Sequence, residues 1–367
     1  MSRYVRRPRL RHIIWGLTAL SFSVTLVAFM LRRSELDPAV LDVLQLVSYV
    51  GMGGFALLWS LVFLRDLFVV LAAFGRRMAG RFGDDGPSAV GDVGDAPAEP
   101  SRREFFHGMV NSSVVSAAAL GVVYGHRQAT GVPAIVEVDV PVDGLADDLD
   151  GLRIAQISDT HIGPTLKGDW LRAVVERTNA AEPDVIAFTG DMIDGEVADL
   201  RPHTEHIADL RATYGAYYVT GNHEYYWDAP GWCDEVARCG LHVLNNAHRV
   251  VEVGAARLLV GGVTDYRAGS RIDGHDSDPH RAIEGAPEVD FSLLLAHQPK
   301  SVWKAAEAGF DLQLSGHTHG GQFWPWNLVV GLAHPFTRGL HDYESMKIYV
   351  SCGSGYWGPP MRLGAPA

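Results

Sequence analysis

Leu314-Ser315-Gly316-His317-Thr318-His319-Gly320 is the stretch on which the reading of this chain turns. Two histidines stand one residue apart between glycines, directly after Phe310–Leu314, which reads as a buried strand. Neighbouring side chains in a strand point to opposite faces. In a glycine-flanked loop just beyond the strand they can splay around one point, so that two imidazoles serve two neighbouring ions. The competing reading is a polar turn that happens to hold two histidines.

The chain upstream repeats the same arrangement. Leu152–Ile157 reads as a strand and ends at Ser158-Asp159-Thr160-His161. Asp184–Phe188 ends at Thr189-Gly190-Asp191-Met192-Ile193-Asp194, and Ala216–Val219 ends at Thr220-Gly221-Asn222-His223-Glu224. Phe291–Leu295 ends at Ala296-His297, and Lys347–Val350 closes the series. Shorter strands are expected at 241–244, 249–253 and 258–263, with an edge strand in the alternation Ile135, Val136, Val138, Val140. Helices are expected at 169–178, capped by Asp169, and at 199–212, 230–238 and 301–308. Alternating strands and helices imply an α/β layered fold, in which ligands collect beyond the carboxyl ends of the strands.

The strand-end side chains are Asp159, His161, Asp191, Asn222, His297, His317 and His319. Two carboxylates, one amide oxygen and four imidazoles exceed what one tetrahedral zinc takes and suit two ions sharing a carboxylate. Such a pair, ~3.5–4 Å apart, clamps a phosphoryl group and supplies a hydroxide at neutral pH. His223, beside Asn222, is placed to assist a leaving oxygen as general acid.

Asp159-x-His161, Gly190-Asp191-x-x-Asp194, Gly221-Asn222-His223-Glu224, His297 and Gly316-His317-x-His319 resemble the five ordered motifs of the calcineurin-like metallophosphoesterases. The likeness covers about 151–358. It implies a two-sheet α/β sandwich flanked by helices. It further implies two divalent metal ions (Mn, Fe or Zn): Asp159, His161 and His319 on one, Asn222, His297 and His317 on the other, Asp191 bridging. His223 is then the catalytic histidine and Asp194 orients its ring. One departure from the resemblance stands out: relatives are expected to continue into a further strand after Trp357–Arg362, whereas this chain stops at Ala367, so a shorter sheet edge is expected.

The N-terminal third reads differently. Met1–His12 is rich in arginine and has no acid, and Ile13–Leu31 carries no charge. A second uncharged run covers Val43–Leu64. A bilayer core needs ~20 apolar residues, so residues 1–82 are expected to form a membrane region with two transmembrane helices, about 13–31 and 40–64. Leu67–Phe74 is too short to span alone and reads as an extension of the second helix. Residues 83–100, rich in Gly, Ala, Asp and Pro, read as a disordered linker. Ser101-Arg102-Arg103-Glu104-Phe105-Phe106 resembles a twin-arginine export signal, so 101–126 is either that signal or a third transmembrane helix. Basic clusters kept in the cytoplasm put the phosphoesterase domain, 131–367, at the cell membrane on the extracytoplasmic side. This layout resembles a bacterial membrane-linked branch of the family that includes phosphodiesterases of lipid- and nucleotide-sugar-type substrates.

The net charge of −12 argues against a nucleic-acid partner, whose binders usually carry a basic face. The expected activity is therefore a membrane-anchored phosphodiesterase with a phosphoester substrate, lipid-linked in one reading. A phosphomonoesterase or nuclease of the same fold, and a non-catalytic sensor or scaffold, are the competing readings. Cys233, Cys239 and Cys352 form no CxxC pair, and no bridge is expected between the first two. His203, His206, His275 and His280 read as surface residues. Glu224 either supports the site or caps the next helix. Phe323-Trp324-Pro325-Trp326 reads as loop packing or as a lipid-facing lip. Arg338 and Arg362 either hold a substrate phosphate or pair with surface acids.

Overall fold

The structure, a computed structural model, describes residues 37–81 and 102–367, with scattered positions between 23 and 31. Most of the expected first span and all of the expected linker at 83–100 lie outside the described residues. The helices are α1 (Pro38–Arg81), α2 (Arg102–Thr130), α3 (Gly168–Ala180), α4 (Val197–Thr204), α5 (Ala229–Arg238), α6 (Pro279–Ile283), α7 (Val302–Ala308) and α8 (Trp326–Val329). The strands are β1 (Ile154–Ile157), β2 (Val185–Phe188), β3 (Ala216–Tyr218), β4 (His242–Val243), β5 (Ala247–Val253), β6 (Ala256–Gly262), β7 (Phe291–Leu295), β8 (Leu312–Ser315), β9 (Gly339–Tyr343) and β10 (Met346–Val350).

Two sheets face each other. One is parallel in the order β1-β2-β3-β4, and the other runs β5-β6-β7-β8-β10-β9. In the second sheet only the outer pairs, β5/β6 and β9/β10, are antiparallel. Parallel pairing needs crossovers, and here helices supply them on both outer faces. Strand β2 shows how the layers are built, for all four of its residues are buried. Val185 and Ala187 pack between the sheets with Val260, Leu293 and Leu314. Ile186 and Phe188 turn outward to Leu171 and Val174 of α3 and Trp232 of α5. On the far face of the second sheet, Leu259, Leu294 and Ile348 meet Ala282 of α6 and Val302 and Ala305 of α7. These layers are the α/β sandwich expected from the motifs.

Local details depart from expectation. Residues 135–140 form no strand. Asp169 does not cap α3; its position is inside the first turn, where it pairs with Arg172. Strand β9 was not expected, because Gly339–Tyr343 mixes Gly, His and Asp and gains strand structure only by pairing with β10. Helix α4 ends at Thr204 and continues as a 3-10 turn through Asp209. The three cysteines are free.

Helices α1 and α2 pack antiparallel. Arg65 Nη1 donates to Asn111 Oδ1 at 2.5 Å, and Gly121 faces Leu57. The segment 67–74 continues α1 without a break. Both helices are long and apolar enough to cross a membrane, over Ala39–Ala79 and Gly108–Thr130. They meet the sandwich at one end of the pair. Arg362 N donates to Gly125 O at 2.9 Å, Lys167 reaches Asp42 at 2.9 Å, and Trp170 Nε1 donates to Gly131 O at 3.0 Å. At Gly53 an added Cβ would come within 3.0 Å of Pro359 and Met361, so glycine there permits the close approach.

Candidate metal centre

Each expected ligand stands in a loop leaving the carboxyl end of a strand. Asp159 and His161 follow β1, Asp191 follows β2, Asn222 follows β3, His297 follows β7, and His317 and His319 follow β8. Five of the seven have positive φ: Asp159 at 54°, His161 at 46°, Asp191 at 50°, His317 at 71° and His319 at 50°. Non-glycine residues rarely adopt this region, and such strain gathers at functional sites. Surrounding hydrogen bonds hold it. Asp159 N donates to Gly190 O at 3.0 Å, and His161 N donates to Asp191 O at 3.1 Å. His317 N donates to Asp159 Oδ1 at 2.9 Å. Gly221 is required for closeness, since a Cβ there would collide with Asp191.

The side chains converge in two groups joined by Asp191. In the first, Asp159, His161 and His319 bring ligand atoms within 4.8 Å of one another. His161 Nε2 and His319 Nε2 are 3.1 Å apart, and His319 Nε2 is 3.6 Å from Asp159 Oδ1. In the second, Asp191, His297 and His317 meet the same limit. His317 Nδ1 is 3.2 Å from His297 Nε2. Asp191 Oδ2 lies 3.1 Å from His297 Nε2 and 3.9 Å from His161 Nε2, facing both groups. Asn222 Oδ1 is buried without a hydrogen-bond partner, while its amide nitrogen donates to Tyr226.

His223 and Asp194 stand beside this pair of groups. His223 Nδ1 is 2.6 Å from Asp194 Oδ1, and its backbone N–H donates to Asp191 Oδ1 at 2.8 Å. His161 Nδ1 is 3.3 Å from the other oxygen of Asp194, without hydrogen-bond alignment. Glu224 supports the site and does not cap α5, whose cap is Asp228. It accepts N–H bonds from Gly221 at 2.6 Å, Met192 at 2.8 Å and Asp191 at 3.1 Å.

Electrostatics follow from this packing. Burial acts to lower the pKa of His223, but the charges of Asp191 and Asp194 outweigh it and raise the value to about 9. Burial likewise opposes protonation of His297, and Asp191 and Asp159 raise its value to about 10. Burial and the neighbouring His297 hold His317 well below the usual range. Burial and Arg362 do the same to His319, so both rings stay neutral.

Some residues were placed wrongly by sequence alone. Arg362 is 1% exposed and pairs with no surface acid; its guanidinium donates to His319 Nδ1 at 3.1 Å and to Gly353 O at 3.0 Å. Arg338 donates to Gly364 O at 3.2 Å. His203 accepts the Gly168 N–H at 3.4 Å, and His275 Nδ1 is 3.1 Å from the Tyr225 hydroxyl, so neither is plain surface. His280 is exposed. Two residues at the site were missed. The His334 ring is 5.0 Å from that of His317, and the Trp357 ring is 5.7 Å from that of His223. Neither belongs to a motif, and only their closeness to the glycine-rich turns hinted at them.

Residues 152–321 match the calcineurin-like phosphoesterase family. An uncharacterized metallophosphoesterase of Helicobacter pylori (strain J99) is 34% identical over 271 residues, covering 73% of this chain and 71% of that protein. The chain belongs to the calcineurin-like phosphoesterase family. Two further members are named transmembrane protein with metallophosphoesterase domain. The Danio rerio protein is 36% identical over 253 residues, covering 67% of this chain and 58% of its own length. The Bos taurus protein is 38% identical over 266 residues, covering 70% and 60%. The chain thus spans about three fifths of the length of these two relatives.

Divalent metals belong to this phosphoesterase family, and the residues present suit them. Imidazole pairs meet nitrogen to nitrogen, carboxylate oxygens face both pairs, and Asn222 Oδ1 lacks a donor. Oxygen and imidazole donors in this number match Mn, Fe or Zn. His297 Nδ1 faces Thr189 O at 2.8 Å, which presents Nε2 to the centre, the usual arrangement of a ligating histidine.

Proposed function

We propose that the protein is a dinuclear metal-dependent phosphodiesterase, held at the membrane, that hydrolyses a phosphodiester or pyrophosphate bond of a lipid- or nucleotide-sugar-type substrate. The observation that carries the dinuclear reading is Asp191 Oδ2, which faces both histidine groups at 3.1 and 3.9 Å. Asp159, His161 and His319 would hold one ion, Asn222, His297 and His317 the other, and Asp191 both. Bound ions would neutralise phosphoryl charge and lower the pKa of a water toward neutrality.

The chain's own residues do the rest. Asp194 occupies His223 Nδ1 and leaves Nε2 as the proton donor to the leaving oxygen. The rings of Tyr226 and Trp357, 5.0 and 5.7 Å from the His223 ring, offer apolar surface to an ester leaving group. That surface favours a diester over a monoester. Arg271 stacks on Tyr226 at the rim, 5.0 Å from the ring centre.

Two apolar helices, together with relatives named as transmembrane proteins, support attachment to a membrane. Arg76, Arg77 and Arg81 end α1 and Arg102 and Arg103 begin α2, at the end away from the sandwich. The positive-inside rule then places the catalytic domain outside the cytoplasm.

The test is an assay of the purified full chain, loaded in turn with Mn, Fe or Zn, on bis(p-nitrophenyl) phosphate and on p-nitrophenyl phosphate. The diester is expected to turn over faster. No turnover of either with any metal sinks the enzymatic reading, and a preference for the monoester sinks the diesterase reading. A reporter enzyme fused after Tyr124 is expected to be active only outside the cytoplasm.

A further inference from the structure

The phosphoesterase site opens beside an apolar protrusion that the chemistry above does not use. Directly after the His317/His319 loop, α8 and the 3-10 turn Val330–Leu332 contain no buried residue. Trp326 is 52% exposed, Leu328 71%, Val329 42% and Leu332 90%. No Asp, Glu, Lys or Arg occurs from Phe323 to Thr337. Contiguous exposed apolar surface of this kind marks an interaction site. The preceding residues split in role, for Phe323 is buried while Trp326 stands out.

Its position identifies what it meets. The Gln322 side chain ties this segment to the loop that follows Trp357. Nε2 donates to Trp357 O at 3.0 Å and to Pro359 O at 2.8 Å, and Oε1 accepts from Trp357 N at 2.9 Å. Trp324 N donates to Leu363 O at 3.0 Å. That same loop rests on the two long helices, with Pro359 and Met361 against Gly53 and Arg362 bonded to Gly125. Protrusion, site mouth and helices are therefore one connected surface.

The height along the helices agrees. About 20 helical residues cross a ~30 Å hydrocarbon core. Counted from Arg103 on α2, this reaches Val123, and Gly125, which bonds to Arg362 of the loop, lies within about one turn of that boundary. The mouth of the site, marked by Trp357 beside His223, then lies at the lipid headgroups.

We propose that Trp326, Leu328, Val329 and Leu332 form a lip that inserts into the same bilayer that α1 and α2 cross, so that the site takes the headgroup phosphoester of an amphiphile directly from the leaflet. The proposal rests on the membrane-bound phosphoesterase reading. It commits the surface to lipid because the helices supporting its loop already bring it to the bilayer. Trp at such a boundary suits a ring with an apolar body and a polar N–H.

The test uses the full chain in phosphatidylcholine/phosphatidylglycerol nanodiscs, with a nitroxide on Leu332→Cys and labelled wild type as background for the native thiols. Collisional broadening by oxygen is expected to exceed broadening by a water-soluble nickel chelate. Stronger broadening by the nickel chelate would overturn the lip. Spin–spin broadening between copies would assign the surface to a second chain and overturn it equally. In a second arm, Trp326→Ser, Leu328→Ser and Leu332→Ser are combined. Turnover of bis(p-nitrophenyl) phosphate is expected to stay within twofold, while turnover of phosphatidyl-p-nitrophenol in the disc falls at least tenfold. Equal retention or equal loss on both substrates overturns delivery from the leaflet, and Leu332→Ser alone serves if the triple variant misfolds. A wild-type chain inactive on both substrates would sink the phosphoesterase reading and leave the nitroxide arm to decide the lip.

Discussion

Arg362 turns its guanidinium into the domain interior and donates to His319 Nδ1 at 3.1 Å, across 43 residues of chain. Its other bonds go to backbone carbonyls of Gly353, Gly355, His319 and Ala365. An arginine can only donate, so it ties the C-terminal loop to the back of a candidate ligand ring. Arg362→Leu strands several buried acceptors, each costing ~1–3 kcal/mol. We expect a clear fall in Tm together with loss of activity. Arg362→Lys, with one compact donor head, should recover part of the Tm while kcat stays ~10-fold low, the usual cost of losing a partner that orients a ligand. Wild-type Tm in both variants would refute the tie.

His223 and Asp194 should separate rate from metal content. Loss of a positioned general acid lowers kcat by ~100–10,000-fold, and His223→Ala is expected in that range with metal occupancy unchanged. Asp194→Asn keeps the ring but weakens the 2.6 Å contact that orients it. We expect a smaller loss, ~10–100-fold. Steady-state kinetics beside elemental analysis measures both. Equal rates for wild type and His223→Ala would remove His223 from the mechanism.

Asp191 faces both groups, so its charge matters to both. Asp191→Asn is expected to lose metal from the two positions together, along with the rate, as read by elemental analysis. Full occupancy in the variant would contradict the bridge. Chelation of the wild-type enzyme should lower Tm reversibly, because a ligand that binds only the folded state stabilises it by ~4 kcal/mol at a thousandfold excess over Kd. An unchanged Tm after complete metal removal would show that folding and binding are not linked.

Glu224 accepts three backbone N–H groups with two oxygens, at 2.6, 2.8 and 3.1 Å. Glu224→Gln replaces one acceptor with a donor and sets an NH2 against an N–H. The expected result is a loss of ~1–3 kcal/mol together with weaker metal binding, since Asp191 and Gly221 lie on the loops it joins. Chemical denaturation and metal titration read the two effects. A variant as stable as wild type would make Glu224 dispensable.

The candidate ligands were legible in the sequence because each sits two to four residues beyond a short apolar strand, and parallel strands deliver those loops to one edge. Local pattern was enough to offer Asp159, His161, Asp191, Asn222, His297, His317 and His319 as candidates, which the fold brings together, and to expect a layered α/β fold. Tertiary structure decided what no local pattern holds. Strand β9 exists through its pairing with β10, not through its own composition. Arg362 is buried against His319, Trp357 stands beside His223, and Trp326 is exposed where Phe323 is not. These outcomes depend on contacts between segments far apart in the chain, where packing and burial choose the partner. The sequence determined which atoms bring the chemistry; the fold decided which neighbours orient them and that the mouth opens beside the apolar helices.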